Sequence, residues 1–444
     1  MSPDRQRRGL LRLSLLVVLT TLFIAPVSAS RRTATITNLT IGRSTEGRPI
    51  TAIQVGGGPR KLVLVGATHG GPEANTYRLM LDLIAHLRAA PEEVPPEVRL
   101  YLIPALNPDG LALETRFNAR GVDLNRNMDT GLDACPENDW SRTVNGAYGI
   151  VSDTGGPSPE SEAESRLIRS FLLDASAAIF YHSAGGELFP PFCEHAPSLA
   201  LAQRYAEVAG YTYIRYYPRY MITGGMHDWA GSLGIASFTP ELWTGEGSDT
   251  DENHAALHAI LADAAALLPL PENQRVGAYS VPAPIWRFWR SNGGATRLGN
   301  PTGPARIEEG RLVQPFMRAI VVVDPARVDT AEFVSLAPLG ERARALLTSS
   351  SPTAFRTEAA EYASLFSAAA AQLGGEALLG ERLGAPEPGV SVSNGAPRIV
   401  QYFANARLEL DPSAAARTVL LSPLGWHDQQ LRMVTDPGFT HQIR

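Results

Sequence analysis

Four apolar segments alternate with helical segments between residues 61 and 267, and this alternation constrains the fold more than any other feature. The first two, KLVLVGA at 61–67 and VRLYLIPAL at 98–106, are continuous runs typical of strands covered on both faces. The other two are AAIFYH at 177–182 and GIASFTPEL at 234–242. Helices are predicted over 74–89, 158–175, 197–209 and 251–267. The pattern predicts an α/β domain with a mixed, largely parallel central sheet and helices on both faces.

The stretch of roughly 107–157 has no periodicity and is rich in Asn, Asp and Gly. A loop of this length inside a compact domain is usually functional. The helix that follows it is predicted to begin at Ser158, because a serine hydroxyl caps a helix well and Pro159 suits its first turn.

The length and charge of the chain set limits on its organisation and partners. With 444 residues, of which 44% are apolar, two or three domains are expected. We predict an α/β catalytic domain over 30–268, a linker over 269–285 and a β-rich C-terminal region over 286–444. The formal net charge of −6 argues against a nucleic-acid partner held by phosphate neutralisation.

The C-terminal region contains an internal repeat. RLGNP at 297–301 leads to a VQPF segment and LAPLG at 336–340, and RLGAP at 382–386 leads to a VQYF segment and LSPLG at 421–425. The offset stays between 85 and 87 residues, which is too regular for chance. The LGxP and VQxF pattern resembles repeats of bacterial cell-surface proteins, and a packing module without a ligand is the alternative interpretation.

Residues 1–29 have the pattern of a secretory signal peptide. A basic segment containing Arg5 and Arg12 precedes the apolar stretch 13–24, and Val27 and Ala29 occupy the small-residue positions of a cleavage site. An uncleaved anchor is the alternative, but about a dozen apolar residues are too few to span a bilayer. We therefore expect a secreted or extracytoplasmic protein without an integral membrane segment after cleavage.

The chain has two cysteines, Cys135 and Cys193. In an exported protein they are free to form a disulfide between the loops that carry them, which is the favoured interpretation. Two buried free thiols are the alternative, and the sequence leaves both open.

Polar side chains follow three of the predicted strands. THGGPE at 68–73 offers His69 and Glu73, YHS at 181–183 offers His182, and FTPEL at 238–242 offers Glu241. Ligands of α/β sheets bind at the carboxyl ends of the strands, so these side chains are expected to lie together. Two imidazoles and a carboxylate suit one Zn²⁺ with an open position for water, and a second carboxylate can take a proton from that water. The set predicts a zinc hydrolase.

Several motifs in this order resemble those of the zinc metallocarboxypeptidase family, of which carboxypeptidase A is a member. They are THGGPE, NPDG at 107–110, RFNARGVDLNRN at 116–127, YHS, Tyr220 followed by GGMHDW, and FTPEL. The resemblance covers about 35–268. Three residues separate His69 from Glu73, as in a bacterial branch of the family with an HGGxE motif, where the usual spacing is two.

The resemblance implies a role for each residue of the site. One Zn²⁺ would be bound by His69, Glu73 and His182, with Asp123 orienting the His69 ring and Glu241 as the general base. The oxyanion would be stabilised by Arg116. The terminal carboxylate of the substrate would be held by Asn125 and Arg126, and Tyr220 would close over it. His227 takes the place at the floor of the side-chain pocket, and we expect a preference for acidic or polar terminal residues.

The sequence thus predicts a zinc metallocarboxypeptidase that acts on peptides. A cell-wall peptide hydrolase of the same chemistry is one alternative, and a non-catalytic cell-surface binding protein is another. Histidines such as His86, His254 and His258 are interpreted as helix-surface residues, because His254 and His258 lack a carboxylate at a suitable spacing.

Overall fold

The structure is a computed structural model that describes residues 34–146, 150–347, 359–415 and 417–435. The predicted signal peptide at 1–29 lies outside these residues. These described residues belong to one compact unit. In the part of the chain that is described, no helix combines the length and the apolar character needed to span a membrane.

The first part of the chain has alternating strands and helices, as the apolar pattern predicts. In chain order they are β1 Ile36–Arg43, β2 Pro49–Gly56, β3 Arg60–Val65, α1 Asn75–Ala89, β4 Val98–Ile103, α2 Pro108–Ala112, β5 Val144–Asn145, β6 Val151–Ser152, α3 Ala163–Phe171, β7 Ala177–Phe180, β8 His182–Ser183, β9 Glu187–Phe189, α4 Ala196–Ala209, β10 Thr212–Tyr213, α5 Met226–Ser232, β11 Ala236–Leu242, α6 Thr250–Ala262 and α7 Ala264–Leu267.

The central sheet is mixed, with the order β1-β2-β4-β3-β7-β11-β9-β10, and β8 also pairs with β11. Its middle strands β4, β3, β7 and β11 run parallel to one another, whereas β1, β2 and β9 pair antiparallel with a neighbour. The carboxyl ends of β3, β7 and β11 therefore meet at one edge of the sheet, which is where the polar motifs follow.

Apolar side chains on both faces of the sheet explain its continuous apolar strands. Leu62 and Leu64 of β3 pack with α1, α4 and α6 on one face. Val63 and Val65 point to the other face, where α3 and α5 cover them. This arrangement confirms the predicted α/β class with helices on both sides of the sheet.

The predicted start of a helix at Ser158 is wrong, because α3 begins at Ala163. The preceding residues are held by Asn127 instead. The Asn127 amide donates to the Ser158 carbonyl at 3.1 Å, and the Glu160 backbone N–H donates to the Asn127 carbonyl at 2.6 Å. These hydrogen bonds compete with helix formation and fix the segment against the loop that contains the site.

The second part of the chain consists of short strands and helices. They are β12 Gln274–Val276, β13 Tyr279–Val281, α8 Ala283–Ser291, α9 Gly294–Arg297, β14 Arg306–Glu308, β15 Arg311–Pro315, β16 Ile320–Val323, β17 Val334–Leu336, α10 Leu339–Leu347, α11 Ala363–Gln372, α12 Gly375–Leu379, β18 Glu387–Val390, β19 Pro397–Tyr402, β20 Arg407–Leu410, β21 Val419–Leu421 and α13 Leu424–Thr435. The β12–β13 hairpin lies within the segment predicted as a linker.

Strands β14–β17 and β18–β21 form two antiparallel four-stranded sheets with the same strand order, here called the first and second C-terminal sheets. Each is followed by a helix that packs on the other sheet. The Glu341 N–H of α10 donates to the Ala404 carbonyl at 3.1 Å, and the Trp426 N–H of α13 donates to the Met317 carbonyl at 3.0 Å. A Cβ at Gly340 or Gly425 would collide with the backbone of the opposite sheet, so only glycine fits at these contacts.

Candidate active site

Three predicted metal ligands converge at the carboxyl edge of the sheet. His69 follows β3, Glu73 ends a short 3-10 helix at Gly71–Glu73 before α1, and His182 begins β8. Glu73 thus precedes the helix rather than lying in its first turn. Glu73 Oε2 lies 3.0 Å from His69 Nδ1 and 2.8 Å from His182 Nδ1, and the two Nδ1 atoms are 3.1 Å apart. All three side chains are buried.

These three atoms have the chemistry of a cation site. The other nitrogen of His69, Nε2, lies 2.8 Å from Asp123 Oδ1. When Nε2 donates to that carboxylate, Nδ1 of the neutral ring presents a lone pair toward the carboxylate of Glu73. In this tautomer the lone pair and the carboxylate can bind a cation between them. The donor set of two imidazoles and a carboxylate is one that zinc prefers, so the residues fit the ion.

The protonation of His182 and Glu73 agrees with that chemistry. Burial and the charge of Arg116 lower the pKa of His69, but the carboxylates of Glu73 and Asp123 outweigh them and raise it, so this ring has to lose a proton when it binds a metal. Burial lowers the pKa of His182 to about 4, so this ring is neutral at neutral pH, as a metal ligand must be. Burial raises the pKa of Glu73, but the charges of His69 and Arg116 outweigh it and hold that pKa well below its ordinary value. The carboxylate is therefore ionised.

Asp123 and Arg116 surround this cluster. Asp123 caps the short helix at Leu124–Arg126 by accepting from the Asn125 N–H at 3.0 Å, and it also accepts from Arg116 Nε at 2.9 Å. Arg116 makes a second ion pair with Glu73. The same carboxylate of Asp123 thus caps the short helix and contacts His69.

Glu241 reaches the cluster through the register of the sheet. It is paired with His182 across β11 and β8 and faces Glu187 across β11 and β9. Desolvation raises the pKa of the Glu241 carboxyl well above its ordinary value, and the negative charges of Glu73 and Glu187 act in the same direction. A carboxyl group with a raised pKa is suited to accept and return a proton near neutral pH.

A cavity of about 450 Å³ joins these residues to the predicted substrate-binding side chains. Asn125, Arg126 and Tyr220 line it together with Arg116 and Glu241. Asn125 Oδ1 accepts from the Met226 N–H at 2.9 Å, which leaves the Asn125 Nδ2 group as a donor. The guanidinium of Arg126 lies 5.7 Å from the centre of the Tyr220 ring.

The model of the zinc carboxypeptidase family matches residues 28–273. The chain belongs to this family. It is a peptide hydrolase of a zinc-dependent family, and His69, Glu73 and His182 form a group able to hold the ion.

The chain is also similar to several solved structures. Carboxypeptidase A from Helicoverpa armigera is 20% identical over 52% of this chain and 69% of that chain, with a TM-score of 0.41. A metallo-carboxypeptidase from Pseudomonas aeruginosa is 20% identical over 52% and 65%, with a TM-score of 0.38. The murein-tripeptide amidase MpaA from Escherichia coli O157 is 20% identical over 53% and 95%, with a TM-score of 0.36. No curated protein matches the chain.

His227 lies beside the zinc carboxypeptidase cavity rather than among its lining residues. It lines a small adjoining pocket of about 80 Å³ with Phe189, Tyr217 and Ile222. Its Nδ1 lies 3.1 Å from Thr239 Oγ1, and burial lowers its pKa, so the ring is neutral at neutral pH. The predicted preference for acidic or polar terminal residues stays a prediction.

The structure also places residues near the cavity that the sequence did not single out. Glu187 and Arg219 form an ion pair of 2.7 Å beside Glu241, and Arg219 donates to Tyr217 Oη at 2.7 Å. The sequence gives little indication that Glu187 belongs to the site. It follows a glycine turn, and only the pairing of β9 with β11 brings it close to Glu241. Tyr217 lines the cavity as Tyr220 does.

Cys135 and Cys193 form a disulfide, with their Cα atoms 5.7 Å apart. It joins the long loop after α2 to the segment between β9 and α4. The NPDG motif, which contributed to the resemblance, fixes the start of the same loop. Asn107 accepts from the Gly110 N–H at 2.8 Å and donates to the Phe117 carbonyl at 3.1 Å. Both features hold the segment that carries Arg116 and Asn125.

Proposed function

We propose that this chain is a secreted zinc metallocarboxypeptidase that removes C-terminal residues from peptides. The observation that supports it most is the triangle of His69 Nδ1, Glu73 Oε2 and His182 Nδ1, with edges of 2.8–3.1 Å, at the wall of a cavity that also holds Arg126. Bound zinc would lower the pKa of a water to about 7 and polarise the scissile carbonyl.

The side chains around the ion would carry out the rest of the reaction. Glu241 would take the proton of the attacking water and return it to the leaving amine. Arg116 is held by Glu73 and Asp123 through two of its nitrogen atoms, and its remaining N–H groups would stabilise the oxyanion. Loss of such a donor typically costs about 2.7–4 kcal/mol.

The same cavity would select the C-terminus of the substrate. The planar guanidinium of Arg126 suits a carboxylate, and the Asn125 Nδ2 group would donate to it as well. Tyr220 would cover the bound residue, whose side chain would enter the pocket beside His227.

Secretion belongs to the proposal. The N-terminal sequence pattern supports it, and so does the Cys135–Cys193 disulfide, since disulfides persist mainly in oxidising environments outside the cytosol.

The substitution Glu241→Gln tests the mechanism. We expect kcat/KM to fall by about 10²–10⁴-fold, because the general base is lost, while bound zinc is retained. Glu246→Gln is the matched control, since Glu246 is exposed in the loop after β11, and it should keep full activity. Undiminished hydrolysis by the Glu241→Gln enzyme would contradict the mechanism.

A panel of peptides tests the substrate class. Peptides that end in Glu, Lys or Phe, their C-terminally amidated forms and cell-wall stem peptides are compared by kcat/KM. We expect the amides to be poor substrates, because Arg126 and Asn125 then lose the carboxylate. Equal cleavage of acids and amides would contradict carboxypeptidase activity, and exclusive cleavage of the stems would favour the cell-wall alternative.

A further inference from the structure

A second group of two imidazoles and a carboxylate lies outside the catalytic cavity. His86 lies in the last turn of α1, Glu93 ends a short 3-10 helix at Pro91–Glu93, and His254 lies in the first turns of α6. Each offers one ligand atom, and these atoms all lie within 4.8 Å of one another. At 1.5 Å per residue, His86 is roughly 17 Å along α1 from Asn75, so the group is separate from the active site.

The carboxylate of Glu93 bridges the Nε2 atoms of the two rings. Its Oε1 lies 2.9 Å from His86 Nε2, its Oε2 lies 3.1 Å from His254 Nε2, and the two ring centroids are 3.7 Å apart. Among the described residues, Glu93 pairs with these imidazoles and with no arginine or lysine. Imidazole and carboxylate oxygen together form a donor set typical of zinc and related first-row ions.

The backbone holds these positions without help from an ion. The Ala90 N–H donates to the His86 carbonyl at 2.9 Å, and the Glu93 N–H donates to the Ala90 carbonyl at 3.2 Å. On α6, Asn253 next to His254 is buried, and its Nδ2 donates to Tyr211 Oη at 2.9 Å. The group is therefore organised in advance of any ligand, which lowers the entropy lost on binding.

The group is also open to solvent. The side chains of His86, Glu93 and His254 are 38%, 24% and 28% exposed. An ion can enter from water, and a water molecule has room to complete its coordination. Ligand atoms around a tetrahedral zinc ion lie roughly 3.3 Å apart, given bond lengths of about 2.0–2.2 Å. The two ring nitrogens lie 2.9 and 3.1 Å from the two oxygens of Glu93, and the ligand atoms all lie within 4.8 Å of one another, so they are close enough to meet one ion.

We propose that His86, Glu93 and His254 bind a second Zn²⁺ ion, which has a structural role and goes beyond the proposed catalytic function. The ion would join the end of α1 to the start of α6. Between Glu241 and α6 the chain runs along α1, where Asn75 Nδ2 donates to the Thr244 and Gly247 carbonyls at 2.7 Å each. The ion would fasten the far end of this segment.

Zinc stoichiometry of the full chain tests the proposal. The wild type and the variants His254→Asn, Glu93→Gln and His258→Asn are dialysed against buffered Zn²⁺ and analysed by inductively coupled plasma mass spectrometry. We expect two zinc ions per chain in the wild type and in His258→Asn, whose exposed histidine lies one turn further along α6. We expect one ion in His254→Asn and in Glu93→Gln, with unchanged peptide hydrolysis. Zinc should also raise the thermal midpoint of these two variants less than that of the wild type.

The outcomes separate this inference from the catalytic proposal. One zinc ion in an active wild type, or equal stoichiometry in His254→Asn and His258→Asn, would overturn the second site and leave the catalytic proposal intact. Two ions in a chain that hydrolyses no peptide would support the second site and contradict the proposed activity. His182→Asn provides the converse control, since it should retain one ion, at the second site, and lose activity.

Discussion

The two ends of β3 carry two buried clusters of charged side chains that differ in how their hydrogen-bonding groups are satisfied. At the start of the strand, Lys61 is fully buried, although it is the only lysine of the chain. Its ammonium donates to the Phe171 carbonyl at 2.7 Å, to Asp174 at 2.8 Å and to Asp329 at 3.0 Å. Since an ammonium has three N–H donors, each of them has an acceptor.

Beyond the other end of β3, the cluster of His69, Glu73 and His182 is arranged differently. His69 Nδ1, His182 Nδ1 and Glu73 Oε2 lie 2.8–3.1 Å from one another, and His182 Nε2 has no hydrogen-bond partner within the described structure. Every N–H donor of the Lys61 ammonium has an acceptor, whereas the histidine cluster leaves one buried ring nitrogen without a partner and has the donor set of a metal site.

Metal removal should give the largest contrast between the clusters. Chelation of the protein should abolish peptide hydrolysis, a loss of at least about 10³-fold, because the ion contributes several kcal/mol to the stabilisation of the transition state. Added Zn²⁺ should restore the rate. Elemental analysis checks that the chelated protein contains no metal. If that metal-free protein were still fully active, the histidine cluster would not differ from the Lys61 cluster in its need for an ion.

The substitution Lys61→Met should destabilise the fold by about 3–5 kcal/mol, because it removes the ammonium that pairs with the carboxylates of Asp174 and Asp329. Zinc content and kcat of the folded fraction should not change. Chemical denaturation measures the free energy of unfolding, with Arg204→Met as the control. Arg204 forms an exposed pair with Glu207, and its loss should cost less than about 1 kcal/mol. A Lys61→Met protein as stable as this control would contradict a structural role for the cluster.

Asp123→Asn should have a smaller effect. An asparagine can still cap the short helix at Leu124–Arg126, but it no longer offers a charged acceptor to His69. Zinc affinity should fall by about 10–100-fold, which a competition titration with a chromophoric chelator can measure. An unchanged dissociation constant would show that Asp123 serves the helix alone.

The pH dependence of stability should show the smallest effect. Burial raises the pKa of Asp174, but the charges of Lys61 and Arg99 outweigh it and hold the pKa below its ordinary value. The stabilisation is therefore present above the unfolded pKa of about 3.9 and is lost as the pH falls through the folded pKa. The difference in unfolding free energy between wild type and Asp174→Asn should shrink below about pH 4. A difference that stays constant down to acid pH would exclude this linkage.

The sequence predicted much of the histidine cluster and nothing of the Lys61 cluster. His69, His182 and Glu241 follow apolar runs, so parallel strands bring them together, and the motifs around them carry a family resemblance. Lys61 stands at the start of an apolar run and carries no other signal, and its partner Asp329 is 268 positions away in the connection between β16 and β17. No local periodicity connects the two residues.

The second group of imidazoles shows the same limit. His254 was set aside because no carboxylate lay at a suitable spacing on its own helix. The carboxylate comes from Glu93, which is seven residues after His86 and 161 before His254. The predicted helix start at Ser158 is wrong for a related reason. Hydrogen bonds from Asn127, which is distant in sequence, hold that segment, whereas a capping preference describes only local energies.

The packing of α10 and α13 on each other's sheets means that neither C-terminal sheet is an independent module. The arrangement corresponds to a domain-swapped dimer contained within one polypeptide. A chain that ended before residue 359 would keep Gly340 but lose the Phe403–Ala406 turn against which it packs. The two C-terminal sheets therefore depend on each other. A truncation has to remove both sheets, and a transfer to another protein has to include both.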